Sequence, residues 1–336
     1  MKISSFLFPT IILFLLGLGG WYGYSYITES NNMKLSVSFT HEALETLTVV
    51  ADQKKYFEEE GLEVSLLPFD TGKLALEQGL LAGKIDIATS ALEPPVIKYL
   101  NGQPIQIISL MGRAHDQVKI VARKSAGISK PEDLQGKKIA VPKGSAAHFF
   151  LDQYLIVNRI DFDKVIISYI NTVPELKAAI ESKKVDAVAI KEPVISSIAN
   201  SLNKDGIIFS PSKTAYKSYV YVVQNKTAKR RKKAVTAFLR AIVKAEKFTA
   251  DNPELAMQIL REYDPQNSSE DLLRSQWTVQ NLGLKLDEDL RQSINAVAEW
   301  AEGNKLITNK TTPDLKPFIN SAFLKVIYPE GVMIEE

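Results

Sequence analysis

The stretch AGKIDIATSALEPPVI at residues 82–97 has a counterpart, SKKVDAVAIKEPVI, at residues 182–195. In both stretches a short polar turn precedes an apolar run typical of a strand, and a Glu-Pro pair then opens an apolar helical pattern. The similarity extends outward in both directions, so one copy of a repeat covers residues 35–97 and the other covers residues 139–198. An internal repeat of this length predicts two similar folded units.

Each copy of the repeat begins with a β-like run, at residues 35–39 and 138–141, followed by a small-polar segment and a helical pattern. A second strand follows in each copy, and an Asp-Thr or Asn-Thr pair then starts another helix. Alternating strands and helices predict an α/β protein with two mostly parallel sheets, one in each of two lobes. Ligands of such sheets bind beyond the carboxyl ends of the strands, so we expect a cleft between facing strand ends.

The composition limits the classes of partner. The chain has 336 residues, 45% of them hydrophobic, which is enough for about two folded domains. Lys and Arg number 41 against 39 Asp and Glu, and this net charge of +2 provides no bulk field for nucleic acid. The sequence has no cysteine, which excludes disulfides, thiolate metal sites and the lipid-attachment residue of exported lipoproteins.

The N-terminus predicts a membrane anchor. Residues 3–28 carry no charge, residues 6–18 are almost wholly apolar, and a Trp/Tyr cluster at residues 21–26 is typical of the headgroup boundary. Bulky aromatic residues interrupt the glycines of residues 19–23, so no signal-peptidase site is evident. We expect residues 1–31 to form an uncleaved signal anchor and linker. The anchor would be one transmembrane helix in the cell membrane, with the bulk of the chain on the extracytoplasmic (periplasmic) side.

Three motifs point to a family. They are KYFEEEGLEV at residues 55–64, AGKID at residues 82–86 and GISKPEDLQGKKIAV at residues 127–141. Together they resemble ABC-transporter substrate-binding proteins of the nitrate, sulfonate and taurine type, a group that includes binders of thiamine-pyrimidine precursors. The resemblance covers about residues 35–252. It implies a two-lobed periplasmic-binding-protein type II fold with two crossover strands, closure on a small-molecule ligand and delivery to an ABC permease. It implies no catalysis and no cofactor.

The repeat and the resemblance divide the chain. We expect residues 32–122 to form the first part of lobe 1, residues 123–218 to form lobe 2, and residues 219–336 to return to lobe 1. The crossover strands would lie near residues 118–122 and 219–223. The amphipathic patterns that follow predict helices packed on lobe 1, at residues 228–250, 253–262, 269–280, 287–302 and 313–326. We expect a monomer.

The resemblance also places the ligand-binding residues after the strands of each lobe, without a catalytic or metal-binding residue. They are Thr40, His41, Ser90, Ala91, Gly144, Ser145, Ala146, His148 and Glu192. Independently of the resemblance, Ser and Thr hydroxyls beside free amides at helix starts make a neutral, donor-rich pocket suited to a sulfonate or carboxylate. Thr40 and Ser145 have the alternative role of simple N-caps, which is compatible with ligand contact.

Glu192 departs from the pattern of sulfonate binders. A carboxylate in the cleft favours an amine or a protonated ring on the ligand. Alternatively, Glu192 pairs with Lys191 or another nearby cation, or has a turn role shared with Glu93 of the first copy.

Two further features have open interpretations. His41, His115 and His148 are the three histidines, and they leave a zinc site as an alternative, although their spacing matches no local motif. The basic run at residues 229–233 is either a solvated helix face or a surface that contacts anionic lipid or a permease.

The leading hypothesis is a transport receptor that binds an oxyanion. One alternative is an enzyme on the same fold with dehydratase-like acid/base chemistry, for which a His or Glu in a closed cleft would be required. Another is a binder of a nitrogenous heterocycle such as a thiamine pyrimidine precursor, and a third is a sensor that signals by closure. A pyrimidine synthase would need a Cys-rich motif that this chain lacks.

Overall fold

The repeat folds into two β-sheets in the computed structural model, which describes residues 33–210, 217–309 and 313–334. The strands in these ranges are β1 (Lys34–Thr40), β2 (Glu63–Phe69), β3 (Ile87–Ala91), β4 (Ile105–Ala114), β5 (Val118–Arg123), β6 (Lys138–Val141), β7 (Ile166–Tyr169), β8 (Ala187–Lys191), β9 (Gly206–Phe209), β10 (Lys217–Gln224) and β11 (Gln280–Leu282).

Helices cover the sheets. In the same ranges they are α1 (Thr46–Gln53), α2 (Tyr56–Glu59), α3 (Gly72–Leu74), α4 (Glu93–Leu100), α5 (Ala146–Val157), α6 (Val173–Glu181), α7 (Val194–Leu202), α8 (Asn225–Arg230), α9 (Lys232–Asp251), α10 (Pro253–Tyr263), α11 (Glu270–Trp277), α12 (Glu288–Gly303) and α13 (Ala322–Ile327). A π-helical segment, Ala75–Leu80, extends α3. Short 3-10 turns lie at Ala43–Glu45, Lys124–Ala126, Pro131–Leu134, Phe162–Lys164, Asn203–Asp205, Lys316–Phe318 and Pro329–Gly331.

The two sheets share one arrangement of strands. The first has the order β11-β4-β10-β3-β1-β2, with β1 parallel to β2 and β3, and β10 antiparallel to β3 and β4. The second has the order β7-β6-β8-β5-β9, with β6 parallel to β7 and β8, and β5 antiparallel to β8 and β9. In each copy the first strand therefore lies between two parallel neighbours. The prediction of a two-sheet α/β fold is confirmed.

The chain passes from the first sheet to the second between β4 and β5, and it returns between β9 and β10. The repeat pattern placed residues 118–122 in lobe 1, whereas β5 pairs with β8 and β9 of the second sheet. The return strand β10 pairs with β3 and β4 of the first sheet. The lobe boundaries themselves stay a prediction.

The helices after β10 pack on the first sheet, where the amphipathic pattern predicts them. Val235, Phe238 and Ile242 of α9 are fully buried, and the ring of Phe238 stacks on Phe57 at a centroid distance of 5.4 Å. Each fully buried apolar side chain of this size contributes about 1.5–3 kcal/mol to the free energy of unfolding. The C-terminal helices thus enlarge the core of the first sheet.

The predicted anchor, residues 1–31, lies outside the described residues. Among the residues that are described, no helix combines the length and apolarity that a membrane crossing requires.

Candidate ligand-binding cleft

A cavity separates the two sheets at the carboxyl ends of their parallel strands, where binding sites of open α/β sheets lie. The elements of the first sheet line it with Glu42, Thr71, Gly72, Lys73, Ala91, Pro94 and Tyr219. The elements of the second sheet line it with Val118, Pro142, Ser145, Ala146, Ala147, Ile190 and Lys191. Its volume is about 40 Å³, and one water needs roughly 10–15 Å³. The cavity therefore has room for only a few atoms, and a larger ligand requires the walls to move apart.

Polar contacts cross from one wall to the other. The ammonium group of Lys191, at the end of β8, forms an ion pair with Oε1 of Glu42, which follows β1. Lys73 donates a hydrogen bond to Asn171 Oδ1 at 2.9 Å. These contacts hold the walls together in the closed arrangement.

The N-terminus of α5 forms part of the second wall. Ser145 caps this helix: its Oγ accepts a hydrogen bond from the His148 amide at 3.3 Å and donates one to the Pro142 carbonyl at 2.7 Å. The amides of Ala146 and Ala147, in the first turn, have no acceptor within the helix. Because both residues line the cavity, the positive end of the helix dipole faces the space where a ligand would lie.

His148 supports this helix start from behind. Its ring is buried, with Nδ1 accepting from the Gly144 amide at 3.3 Å and Nε2 lying 3.3 Å from the Tyr169 hydroxyl. Burial lowers the pKa of His148, against the opposing effect of Asp152. A neutral imidazole fits the acceptor role of Nδ1. His148 therefore shapes the loop around Gly144, and it does not line the cavity.

Thr40 belongs to the first wall, but carboxylates occupy its donors. Its amide and hydroxyl lie 3.1 Å and 2.8 Å from Glu45 Oε1, and the hydroxyl lies 3.0 Å from Glu42 Oε1. Thr89 donates to the same Glu45 oxygen at 2.6 Å. Burial raises the pKa of Glu45 to about 7. Thr40 thus positions the two carboxylates, and it does not line the cavity.

His41 points toward the C-terminal helices. Its Nδ1 donates to Asp264 Oδ2 at 2.8 Å, and this hydrogen bond raises the pKa of His41. The ring also packs edge-on against Phe39, with the centroids 5.3 Å apart. His41 is not among the lining residues.

Ala91 lines the cavity, whereas the neighbouring Ser90 is buried beneath it. The Ser90 hydroxyl donates to the Ala91 carbonyl at 2.8 Å. A Cβ on Gly72 would lie 2.7 Å from Ser90 Cα, so glycine permits this close approach of the loop before α3 to the end of β3.

Glu192 is buried with both carboxylate oxygens bonded inside the second lobe. Oε1 lies 3.3 Å from Lys119 Nζ, and Oε2 accepts hydrogen bonds from the amide and hydroxyl of Ser196 at 3.1 Å and 2.8 Å. The carboxylate holds the start of α7, and Glu192 is not among the lining residues. These contacts favour the turn role over ligand contact.

Several lining residues were absent from the sequence prediction: Glu42, Lys73, Lys191 and Tyr219. Lys191 and Glu42 are 149 positions apart, and no local pattern joins them. Tyr219 is buried in β10, and burial, followed by the charges of Glu42 and Glu93, raises its pKa well above the ordinary value. The sequence nonetheless contained a signal for these residues. Lys191 ends an apolar strand and Glu42 lies two residues after another, and charged side chains are unusual in a core.

Within the described ranges, no three His, Asp or Glu side chains come together as a metal would require. His41 and His148 lie in separate walls with different partners. The geometry of these residues gives no support to the zinc alternative.

Two α/β sheets with helix starts and strand ends facing one cavity form the periplasmic-binding-protein fold. The family model described as NMT1/THI5 like matches residues 45–256, and the chain belongs to this family. The resemblance drawn from the sequence motifs is confirmed.

Relatives in this class are named as binding proteins. The taurine-binding periplasmic protein of Escherichia coli (strain K12) is 26% identical over 232 residues, which are 68% of this chain and 70% of that protein. The alkanesulfonate-binding protein from Xanthomonas axonopodis pv. citri, solved with bound MOPS, has a TM-score of 0.72 at 17% identity and covers 86% of this chain and 99% of its own. The periplasmic aliphatic sulphonate binding protein from Escherichia coli has a TM-score of 0.65 at 18% identity. The match covers 83% of this chain and 94% of that protein. The two structural matches support the fold.

Proposed function

We propose that this chain is an extracytoplasmic solute receptor that binds a small oxyanion of the sulfonate, taurine or nitrate kind and delivers it to an ABC permease. The observation that carries the proposal is the N-terminus of α5 at the wall of a cavity between two sheets. The names of the relatives, which bind taurine or alkanesulfonates, agree with an oxyanion at this position.

The electrostatics of the cavity support an anionic group. The first-turn amides of Ala146 and Ala147 have no helical acceptor, and a helix N-terminus stabilises negative charge. The ammonium groups of Lys73 and Lys191 lie in the same lining. We therefore place the oxyanion against Ser145, Ala146 and Ala147, with Gly144 and Ala91 as neighbouring contacts. In this proposal Thr40, His148 and Glu192 hold the walls in shape.

Closure is the proposed mechanism of capture. Two polar contacts, Lys191 with Glu42 and Lys73 with Asn171, cross the cavity, and solvent can replace them when the lobes separate. Each lobe would be built on one sheet, and the connection at residues 115–117 would act as a hinge. One lobe pair forms the complete cavity, so a monomer suffices.

Binding without chemistry also agrees with the placement of titratable groups. Burial raises the pKa of Glu45 to about 7, near the pH at which an acid/base catalyst works, whereas burial lowers the pKa of His148 below its ordinary value. However, both are bonded inside the walls and neither lines the cavity. This arrangement supports a receptor over a dehydratase-like enzyme.

The proposed location is the outer side of the cell membrane, with residues 1–31 as the anchor. Arg231 donates a hydrogen bond to the Lys34 carbonyl at 2.7 Å, so the basic run at residues 229–233 lies beside the start of β1. Lys229, Arg230 and Lys232 are exposed. A basic surface next to the linker would be attracted to anionic lipid.

A ligand screen tests the receptor. Nitrate, taurine, propane-1-sulfonate and an aminopyrimidine would each be added to the purified chain while thermal unfolding is followed. A ligand at 100 times its Kd raises the free energy of unfolding by about 2.7 kcal/mol. Mass spectrometry of the recovered ligand should show it unchanged, whereas conversion to a product would support the enzyme alternative.

Membrane fractionation tests the location. The full-length chain should sediment with membranes, and a chain beginning at Asn32 should be soluble and folded. A mature protein beginning near residue 24 would refute the uncleaved anchor.

A further inference from the structure

The first wall of the cavity contains buried acceptor atoms without partners. Oε2 of Glu42, Oε2 of Glu93 and the hydroxyl of Tyr219 form no hydrogen bond with any described residue. All three residues are more than nine-tenths buried, at 6%, 2% and 4% exposure. Leaving such groups unsatisfied is unfavourable, so their arrangement suggests a missing donor.

Glu42 and Glu93 both lie near the Tyr219 hydroxyl, since their charges add to the larger effect of burial in raising the pKa of this tyrosine. Glu42 and Tyr219 both line the cavity, and Glu93 begins α4 directly beside the lining residue Pro94. The other oxygen of each carboxylate is engaged, by Lys191 on Glu42 and by Lys217 on Glu93 at 3.4 Å. Each glutamate thus keeps one oxygen fixed by a lysine and one oxygen available.

The opposite wall has the reverse polarity. There the amides at the start of α5 are donors without helical acceptors. A ligand with only an oxyanion would satisfy this wall and leave the second oxygen of Glu42 and of Glu93 without a donor. A ligand with a donor-bearing cation at its other end would satisfy both walls.

We propose that the cleft is specific for a small zwitterion, whose ammonium group binds Glu42 and Tyr219 in the field of the nearby Glu93 carboxylate and whose oxyanion binds the start of α5. This inference rests on the proposed receptor function and narrows its ligand class. An ammonium group has three donors, enough to reach the second oxygen of Glu42 and the hydroxyl oxygen of Tyr219. The negative charges of the carboxylates attract the ammonium group, and the hydroxyl of Tyr219 fixes its orientation.

Three ligands of similar length test the ammonium end and the oxyanion end of the proposed zwitterion separately. Taurine carries the ammonium and the sulfonate, propane-1-sulfonate carries the sulfonate alone, and β-alanine carries the ammonium with a carboxylate. Calorimetric titration of the full-length chain should show that taurine or β-alanine binds at least about 10-fold more tightly than propane-1-sulfonate, since a hydrogen bond to a charged group supplies this much affinity. The comparison of taurine with β-alanine then identifies the oxyanion.

Variants locate the ammonium site. Glu42→Gln should weaken the zwitterion by about 10- to 100-fold and leave propane-1-sulfonate unchanged or bound more tightly. Tyr219→Phe removes one hydroxyl. It should also weaken binding of the zwitterion and not of propane-1-sulfonate, but by a smaller factor than Glu42→Gln. Glu63→Gln is the matched control, because this carboxylate pairs with Lys34 at the opposite end of β1 and should change neither affinity. Thermal unfolding of each variant checks that the fold is intact.

The outcomes distinguish this inference from the receptor function. Equal affinity for taurine and propane-1-sulfonate would overturn the proposal of a zwitterionic ligand, and so would an equal loss of affinity for both ligands in Glu42→Gln. Neither result would contradict the proposed receptor function. If neither these probes nor nitrate binds, the receptor for small oxyanions is wrong, and the zwitterion is wrong with it.

Discussion

The two Glu-Pro turns of the repeat are alike in sequence and different in their contacts. Glu93 opens α4, with one oxygen 3.4 Å from Lys217 and the other without a partner among the described residues. In the second copy, Lys119 and Ser196 bond both oxygens of Glu192. The repeat therefore specifies the turn and the helix start. It does not specify whether the carboxylate is fully bonded, because the partners come from β10 in one lobe and from β5 and α7 in the other.

The same contrast separates the two walls of the cleft. The wall of the first sheet presents Glu42, Lys73 and Tyr219, and the wall of the second sheet presents Lys191 and a helix N-terminus. A duplicated fold can therefore bind an asymmetric ligand, since each copy contributes a different kind of group at the same end of its sheet.

The largest expected difference between the copies is in stability. Glu93→Gln leaves Lys217 buried without a countercharge, and breaking a buried pair in this way costs about 3–5 kcal/mol in free energy of unfolding. Glu192→Gln should cost only about 1–2 kcal/mol, because Lys119 retains access to solvent and the amide can still accept from Ser196. Urea unfolding of both variants measures the two losses.

The pH dependence checks the cause of the Glu93 effect. Burial already lowers the pKa of Lys217, with Glu93 opposing this shift. Without Glu93 the lysine should lose its proton more easily, so the stability loss should shrink as the pH rises. Equal losses in both variants at all pH values would mean that the two turns are equivalent.

The sequence predicted the fold well because its signals are local and repeated. Alternating strands and helices, the Glu-Pro turns and the amphipathic pattern of α9 each depend on residues within one element. The site was predicted less completely. Ser145, Ala146 and Ala91 line the cavity, but the ion pair between Glu42 and Lys191 depends on how two lobes meet. Glu45 illustrates the same limit, since its burial follows from the packing of β1 on β3, where Thr89 reaches it.

A second comparison concerns the buried titratable groups behind the walls. Burial favours the neutral form in both lobes, raising the pKa of Glu45 to about 7 and lowering the pKa of His148. The contributions of Glu45 and His148 to the free energy of unfolding change in opposite directions with pH. The stability from protonated Glu45 is fully present below its ordinary pKa of 4.5 and is lost as the pH rises through about 7. The stability from neutral His148 is lost as the pH falls below 6.5.

Glu45→Gln should remove the loss of stability that follows the ionisation of Glu45 as the pH rises. The wild-type chain should lose up to about 3 kcal/mol relative to the variant between pH 4.5 and pH 7, since one pKa unit corresponds to about 1.4 kcal/mol. The quantity to follow is the difference between the two unfolding free energies, because His148 and the other ionisable groups cancel in it. A constant difference across this range would show that Glu45 is charged in the folded protein at neutral pH.

The smallest expected effect distinguishes a helix cap from a ligand donor. Ser145 in the second wall and Thr71 in the first cap helices in the same way, with hydroxyl oxygens that accept from the His148 and Leu74 amides at 3.3 Å and 3.2 Å. The Ser145 hydroxyl proton already binds the Pro142 carbonyl, so it is not available to a ligand. Ser145→Ala and Thr71→Ala should therefore each cost about 1 kcal/mol of stability, the usual value of an N-cap. Taurine affinity should change less than about twofold in both, because the α5 amides remain in place. If Ser145→Ala instead weakened taurine several-fold at unchanged stability, the hydroxyl would turn to the ligand in the bound state, and the second wall would contribute a side chain as well as a helix end.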